Sequence, residues 1–293
     1  MAPHGINLSP DDSYSKSTFK PTSAMHSITS CFRFKRFAFP AVMAVGVALT
    51  ISVAAAVATT PARPKILIDL GHGQAGFVDP AGKESPRLLG YRAIADQHTA
   101  DLATTKEPLT AATLKGVDVL ALMLPQTSFD DTAITAVTAF VREGGALLVI
   151  TDEEGRAKVK MAEMRLNEII GPFGLKFTGD TPDPHNCGAL APAGPVNPVA
   201  REIPFSGGRA VEGGTGFAFT LDAAGQPTTR AQAAFATVPG GGKVIAMGDG
   251  MPMLFLGRPD GVRLQGTTRE DTLYWGKDAR EFMADVLGWL TKK

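Results

Sequence analysis

Cysteine is scarce, with two in 293 residues, too few for a disulfide scaffold. Neither sign of charge is in excess: 29 Lys+Arg stand against 29 Asp+Glu. That balance argues against a nucleic-acid binder, which shows a basic surplus. Charged residues are only 20% of the chain and apolar ones 44%, the opposite of a disordered composition. No GxxxxGKS/T phosphate loop occurs, and the GxGxxG spacing of Gly71, Gly73 and Gly76 runs into a loop pattern rather than a helix. The run Gly240-Gly-Gly242 precedes a strand pattern rather than a helix, so no nucleotide and no other cofactor is expected. Internal repeats are missing too. What remains is enough chain for one large core or two small ones.

The first part of the chain carries a targeting signal. Residues 1–36 are a polar leader ending in the basic residues Arg33, Lys35 and Arg36. Residues 37–58 are apolar apart from Pro40, Thr50 and Ser52, and close on Ala56-Val57-Ala58. A positive flank, an apolar stretch and small residues at both peptidase positions make a secretory signal. A start at Met25 gives a more ordinary basic region. The apolar run is also long enough to span a bilayer, so an uncleaved anchor is the alternative. Basic residues on its N-terminal side then stay cytoplasmic and the rest faces outward. The expected location is therefore the periplasm or outside the cell, free or anchored. Cleavage removes Cys31 and leaves Cys187 alone. No basic neighbour in sequence lowers its pKa, so it is read as a buried, inert thiol.

Residues 63–293 alternate strand and helix patterns. Lys65-Ile-Leu-Ile-Asp-Leu70 reads as a strand, 88–95 as a short helix weakened by Gly90, and His98 to Thr104 as a second strand. Leu109 to Lys115 is a helical turn. Val117 to Met123 and Ala146 to Ile150 are continuous apolar runs, as in strands buried on both faces. Between them Ser128 is the expected N-cap of a helix with Asp130 and Asp131 in its first turn. Ile134, Val137, Phe140 and Val141 recur at helical spacing, and Gly144-Gly145 stops the helix. Residues 159–170 predict one further helix, its methionines serving as core filler. Five prolines predict a loop over 179–199. Phe217 to Leu221, Gln232 to Val238 and Lys243 to Met247 predict strands, the last two joined by the triple glycine as a hairpin. Lys277 to Leu290 predicts a closing helix with Phe282, Val286, Trp289 and Leu290 on one face. The fold class is α/β: a three-layer sandwich around a mostly parallel sheet, with an antiparallel extension, in one domain.

The segment LKGVDVLALMLPQTSFDDTAITAVTAFVREGGALLVITDE resembles the centre of class I glutamine-amidotransferase-like domains. More narrowly it resembles their GIFT-type branch, found in intraflagellar transport proteins and in auxiliary proteins of bacterial ABC transporters. LNEIIGPFGLKF is similar to the family's helix and strand after the elbow, NPVAREI to its usual HPVTRGI, and GGKVIAMGDGMPM with EFMADVLGWL to its final strand, turn and helix. The resemblance covers most of 65–290 and implies the fold. In active amidotransferases a Cys stands on a sharp strand-to-helix turn. The matching turn here is Thr151-Asp152-Glu153-Glu154, without Cys, so glutaminase chemistry does not carry over.

Ligands of open parallel sheets bind at the carboxyl ends of the strands. Four segments fall there: Asp69 with His72 and Gln74; Gln126 with Ser128; Asp152 with Glu153 and Glu154; and Asp249. A parallel sheet brings them to one crevice. Each also has a structural reading. His72 can bond a neighbouring loop, Asp152 can cap its turn, Ser128 can cap a helix, and Asp249 can hold the Gly248-Asp249-Gly250 turn. His185 and Asn186 lie in the proline-rich loop, which is positioned to cover the crevice.

Three functions fit. The first is an exported, non-catalytic binding or interaction domain for a protein, peptide or glycan, touching membrane only through 37–58. The second is a metal-dependent cell-envelope hydrolase with His72, Asp152 and Asp249 as ligands. ILIDLGHGQAG with Glu84 resembles the first zinc segment of N-acetylmuramoyl-alanine amidases, but the second His segment of that family lacks a good counterpart. The third is an anchored accessory subunit of a membrane transport complex. The expectation is the first, without a metal and without an enzymatic nucleophile.

Overall fold

The β-branched centre of Lys65–Asp69 forms strand β1, whose middle residues are buried on both faces. It opens a fold seen in a computed structural model that describes residues 62–292, except 74, 75, 80, 156, 183–187, 206, 223, 255 and 257–277. All belong to one compact unit, Thr59–Lys293. The leader and the apolar run at 37–58, with Cys31, lie outside the described residues, as do Gln74, His185, Asn186 and Cys187.

After β1 the chain makes helix α1 (Pro86–Gln97), edge strand β2 (Asp101–Thr105), the turn α2 (Ala111–Leu114) and strand β3 (Val119–Met123). Helix α3 (Asp131–Arg142) and strand β4 (Ala146–Ile150) follow. α1 is longer than the pattern predicts. Gly90 is accommodated because its bare Cα faces the backbone of Leu256 at close range. β2 starts later than predicted, at Asp101, because His98 closes α1 and Thr99 turns with a left-handed φ of 53°. Where one helix was expected over 159–170, Arg165 adopts φ 67° and breaks it into α4 (Met161–Met164) and α5 (Leu166–Ile170). Its guanidinium ties the break to Phe129 O, Asp131 and Glu168.

Strand β5 (Leu175–Pro182) runs into the region read as loop, and β6 (Ala189–Ala191) lies within it. β7 (Arg201–Ile203) and β8 (Gly207–Gly213) come next, and neither has an alternating apolar pattern. β9 (Thr215–Leu221), β10 (Pro227–Thr237) and β11 (Lys243–Met247) stand where strands were predicted. The Val238 amide bonds Gly242 O at 2.7 Å across the glycine hairpin. Two helices close the chain, α6 (Met251–Leu254) and α7 (Ala279–Thr291).

The main sheet has the order β2-β1-β3-β4-β11-β10-β9-β6-β7. The first five strands are parallel and the other four antiparallel. Alternate residues feed two cores. Ile66, Val119, Leu148 and Ile245 pack on one face with α1 and α7. Leu67, Leu120, Leu147 and Val244 pack on the other with α3, α5 and the two-stranded β5–β8 ribbon. Both faces of the parallel strands are covered, which is why they read as unbroken apolar runs. The layers are those of an α/β sandwich.

Candidate functional site

The strand order places a topological switch between β1 and β3. From β1 the chain moves outward to β2, then returns to lay β3 on β1's other side. Loops diverge there, leaving room above the carboxyl ends.

Asp69 ends β1 with no solvent exposure. One carboxylate oxygen accepts the Gly71 amide at 2.8 Å; the other lies 2.6 Å from His72 Nδ1. Since the carboxylate accepts, the proton of this bond sits on Nδ1. The imidazole stacks on Phe129 with centroids 3.9 Å apart. The His72 backbone carbonyl accepts the Gln126 amide at 2.7 Å. The imidazole is thus fixed by Asp69 and Phe129, the Gln126 amide holds the His72 backbone, and the side chain is 15% exposed. Gln126 folds its Nε2 back onto Leu124 O and Pro125 O.

Ser128 is exposed and does not cap α3. Asp130 does, accepting the Ala133 amide at 2.7 Å. Phe129 is driven under His72, so the helix begins after it and the next carboxylate meets the free amides.

At the ends of β4 and β11 the crevice is filled. Asp152 Oδ1 accepts the Glu153 amide, the turn-capping role considered for it. Asp249 is fully buried, and its Oδ1 accepts the Met251 amide at 2.7 Å, holding the Gly248-Asp249-Gly250 turn. Arg209, on β8 and only 5% exposed, reaches across. Its Nε donates to Asp152 O at 3.0 Å, one terminal nitrogen to Thr178 O at 2.8 Å, and the other to the Glu154 carboxylate. The β8 backbone lies so close that a methyl group on Gly248 would meet Arg209 O at 1.9 Å. Leu124, held at φ 52° by its bond to Ile150 O, packs beside Gly250. A bulky residue in the left-handed region is strained and persists only where its surroundings impose it.

The predicted residues therefore fall into two groups along one sheet edge. His72 and Gln126 meet at the switch point; Asp152, Glu154 and Asp249 surround the Arg209 contacts. Among the described residues no three His, Cys, Asp or Glu side chains gather closely enough to hold a metal ion. His72, Asp152 and Asp249 thus do not form the metal centre considered from the sequence. β3 separates the end of β1, which carries His72, from the neighbouring ends of β4 and β11, and Asp249 is turned into its own loop. Glu84 is likewise committed, to Arg92. β4 does not pass directly into a helix: residues 151–160 intervene before α4, so the sharp nucleophile turn of active amidotransferases is missing among the described residues. Two surface concavities, about 530 and 330 Å³, flank the β5–β8 ribbon and contain none of the predicted residues.

Sequence reasoning missed Phe129, Leu124 and Arg209. The apolar residue just before a cap carries a signal for Phe129, since such residues pack back on neighbouring elements. Nothing in the glycine-flanked Arg209 segment points to the opposite strand end.

Residues 92–182, from α1 through β5, match the family model of the IFT52 GIFT domain. The fold is similar to the mmIFT52 N-terminal domain, at 15% identity and TM-score 0.52, over 78% of this chain and 98% of that one. A protein from Bacteroides uniformis described as ThuA-like is similar at 13% identity and TM-score 0.46, covering 81% and 96%. The exo-β-1,4-mannosidase Op5Man5 from an Opitutaceae bacterium is similar at 13% identity and 0.43, covering 79% and 37%. No curated protein matches the chain in sequence. The family match covers residues 92–182, and the first structural likeness shows the α/β fold.

Proposed function

We propose that this is an exported, non-catalytic binding domain that works through contacts with a protein partner. The observation that carries this reading is Arg209. Its guanidinium fills the strand-end crevice where an amidotransferase-like fold would place a nucleophile, and Thr151-Asp152 leads into a loop instead. The GIFT-domain match supports it, since such domains occur in proteins of transport assemblies. The apolar segment 37–58 with its basic flank supports export, and residues 1–58 are then a signal or an anchor.

The test uses the full chain expressed with its own leader. Ammonia release from glutamine and ester hydrolysis are expected at buffer background, and the purified chain is expected in a stoichiometric complex. Turnover abolished by His72→Ala would replace the binding reading by an enzymatic one. N-terminal sequencing of the product separates cleavage after Ala58 from a retained anchor.

A further inference from the structure

The three acceptors around Arg209 form a site in their own right. Two are backbone carbonyls, Asp152 O at the exit of β4 and Thr178 O in β5. Neither can turn away when its donor is removed. The third is the Glu154 carboxylate, whose other oxygen accepts the Met161 amide at 3.2 Å at the start of α4. That bond holds the carboxylate in place from outside the crevice. A planar fork with a donor on each nitrogen matches these acceptors, whereas an ammonium would meet them only as a point charge. The site is closed on the β8 side, where Arg209 is buried, and opens past Glu154, whose side chain is 43% exposed.

We propose that this crevice is a guanidinium-recognition site that the chain occupies itself, with Arg209 as the internal ligand that closes it to arginine-bearing molecules. The Arg209 amide donates to Gly248 O at 2.7 Å, which anchors the occupant's backbone independently of its side chain. Truncating the side chain therefore empties the crevice and leaves β8 seated. The part-buried carbonyls of Asp152 and Thr178 then lose the Arg209 donors, and a diffusible guanidinium compound can replace them. The site binds guanidinium whether or not the domain works through protein contacts.

The probe is methylguanidinium, with methylammonium as the control, added to the full chain carrying Arg209→Ala. Thermal unfolding and calorimetric titration read the result. The variant is expected to bind methylguanidinium with a Kd of about 10 mM, an affinity fitting so small a ligand. Its midpoint should rise with dose, while methylammonium gives no rise and the wild-type chain does not respond. Adding Glu154→Gln to Arg209→Ala should weaken binding at least tenfold. If Arg209→Ala does not fold alone, refolding it in methylguanidinium against equal methylammonium gives the same decision. Selective recovery supports the site. A folded variant indifferent to methylguanidinium, equal response in the wild type, or refolding in neither cation would overturn it.

Discussion

Nδ1 of His72 lies 2.6 Å from Oδ2 of Asp69, a carboxylate with no solvent exposure. The bond joins the end of β1 to a loop that also stacks on Phe129 from the β3 side, so it braces the switch point. His72→Ala leaves the Asp69 carboxylate with the Gly71 amide. Losing a hydrogen bond to a buried charged group costs about 2 kcal/mol. Urea unfolding should show a loss of that size. A variant as stable as the wild type would remove the brace and return attention to His72 as a ligand-facing group.

Arg209 and Glu154 should respond unequally although they form one ion pair. Arg209→Ala removes its donors from two part-buried carbonyls as well as from the carboxylate and is expected to cost about 3 kcal/mol. Glu154→Gln keeps an acceptor and alters a half-exposed group, so its cost should stay below about 1 kcal/mol. Equal losses in the two variants would mean that the ion pair, not the carbonyl contacts, holds β8 on the strand ends.

The part of the fold legible in the sequence is the part built from two-sided burial. β3, β4 and β11 have apolar side chains toward both cores, and their unbroken runs announce them. β7 and β8 do not. β7 exposes Glu202, and β8 begins with two glycines, of which Gly208 lies against the Gly248 backbone, a requirement of close approach rather than hydropathy. Arg165 also defeats periodicity, because a single left-handed residue ends a helix whose apolar spacing continues past it. At the site, strand ends could be read because they follow from strand order. Which group fills the space above them could not. Arg209 arrives from a strand of another sheet, and no local pattern links it to Glu154, 55 residues away.

The pH dependence of stability should carry the mark of Lys243. Burial, and then the nearby Lys292 charge, hold its ammonium below the ordinary value of 10.5. Its amine bonds Trp289 O and Lys292 O and lies 5.0 Å from the Trp289 ring centroid, so it closes the end of α7. The folded chain releases this proton first. Between the folded value and 10.5 the unfolded chain holds more protons, and stability rises with pH there. Lys243→Met should abolish that rise. Urea midpoints at about pH 8 and about pH 10, near the ordinary lysine value, measure it for both proteins. A rise of unchanged size in the variant would place its origin elsewhere.

Tyr91 has the opposite sign. Its hydroxyl is buried in the α1 core beside Phe77 and has no hydrogen-bond partner among the described residues. Burial pushes its pKa well above the ordinary 10.0. Above pH 10.0 the unfolded chain loses this proton and the folded chain keeps it, so stability falls as pH rises. Tyr91→Phe removes both features. It deletes a buried hydroxyl that lacks a partner, which stabilises the fold by about 1 kcal/mol at neutral pH. It also deletes the alkaline loss, so the difference from wild type should widen above pH 10.0. Chemical unfolding of the two proteins at neutral and alkaline pH makes the comparison. Lower stability of Tyr91→Phe at neutral pH would show that the hydroxyl is bonded in solution, by water or by another part of the chain.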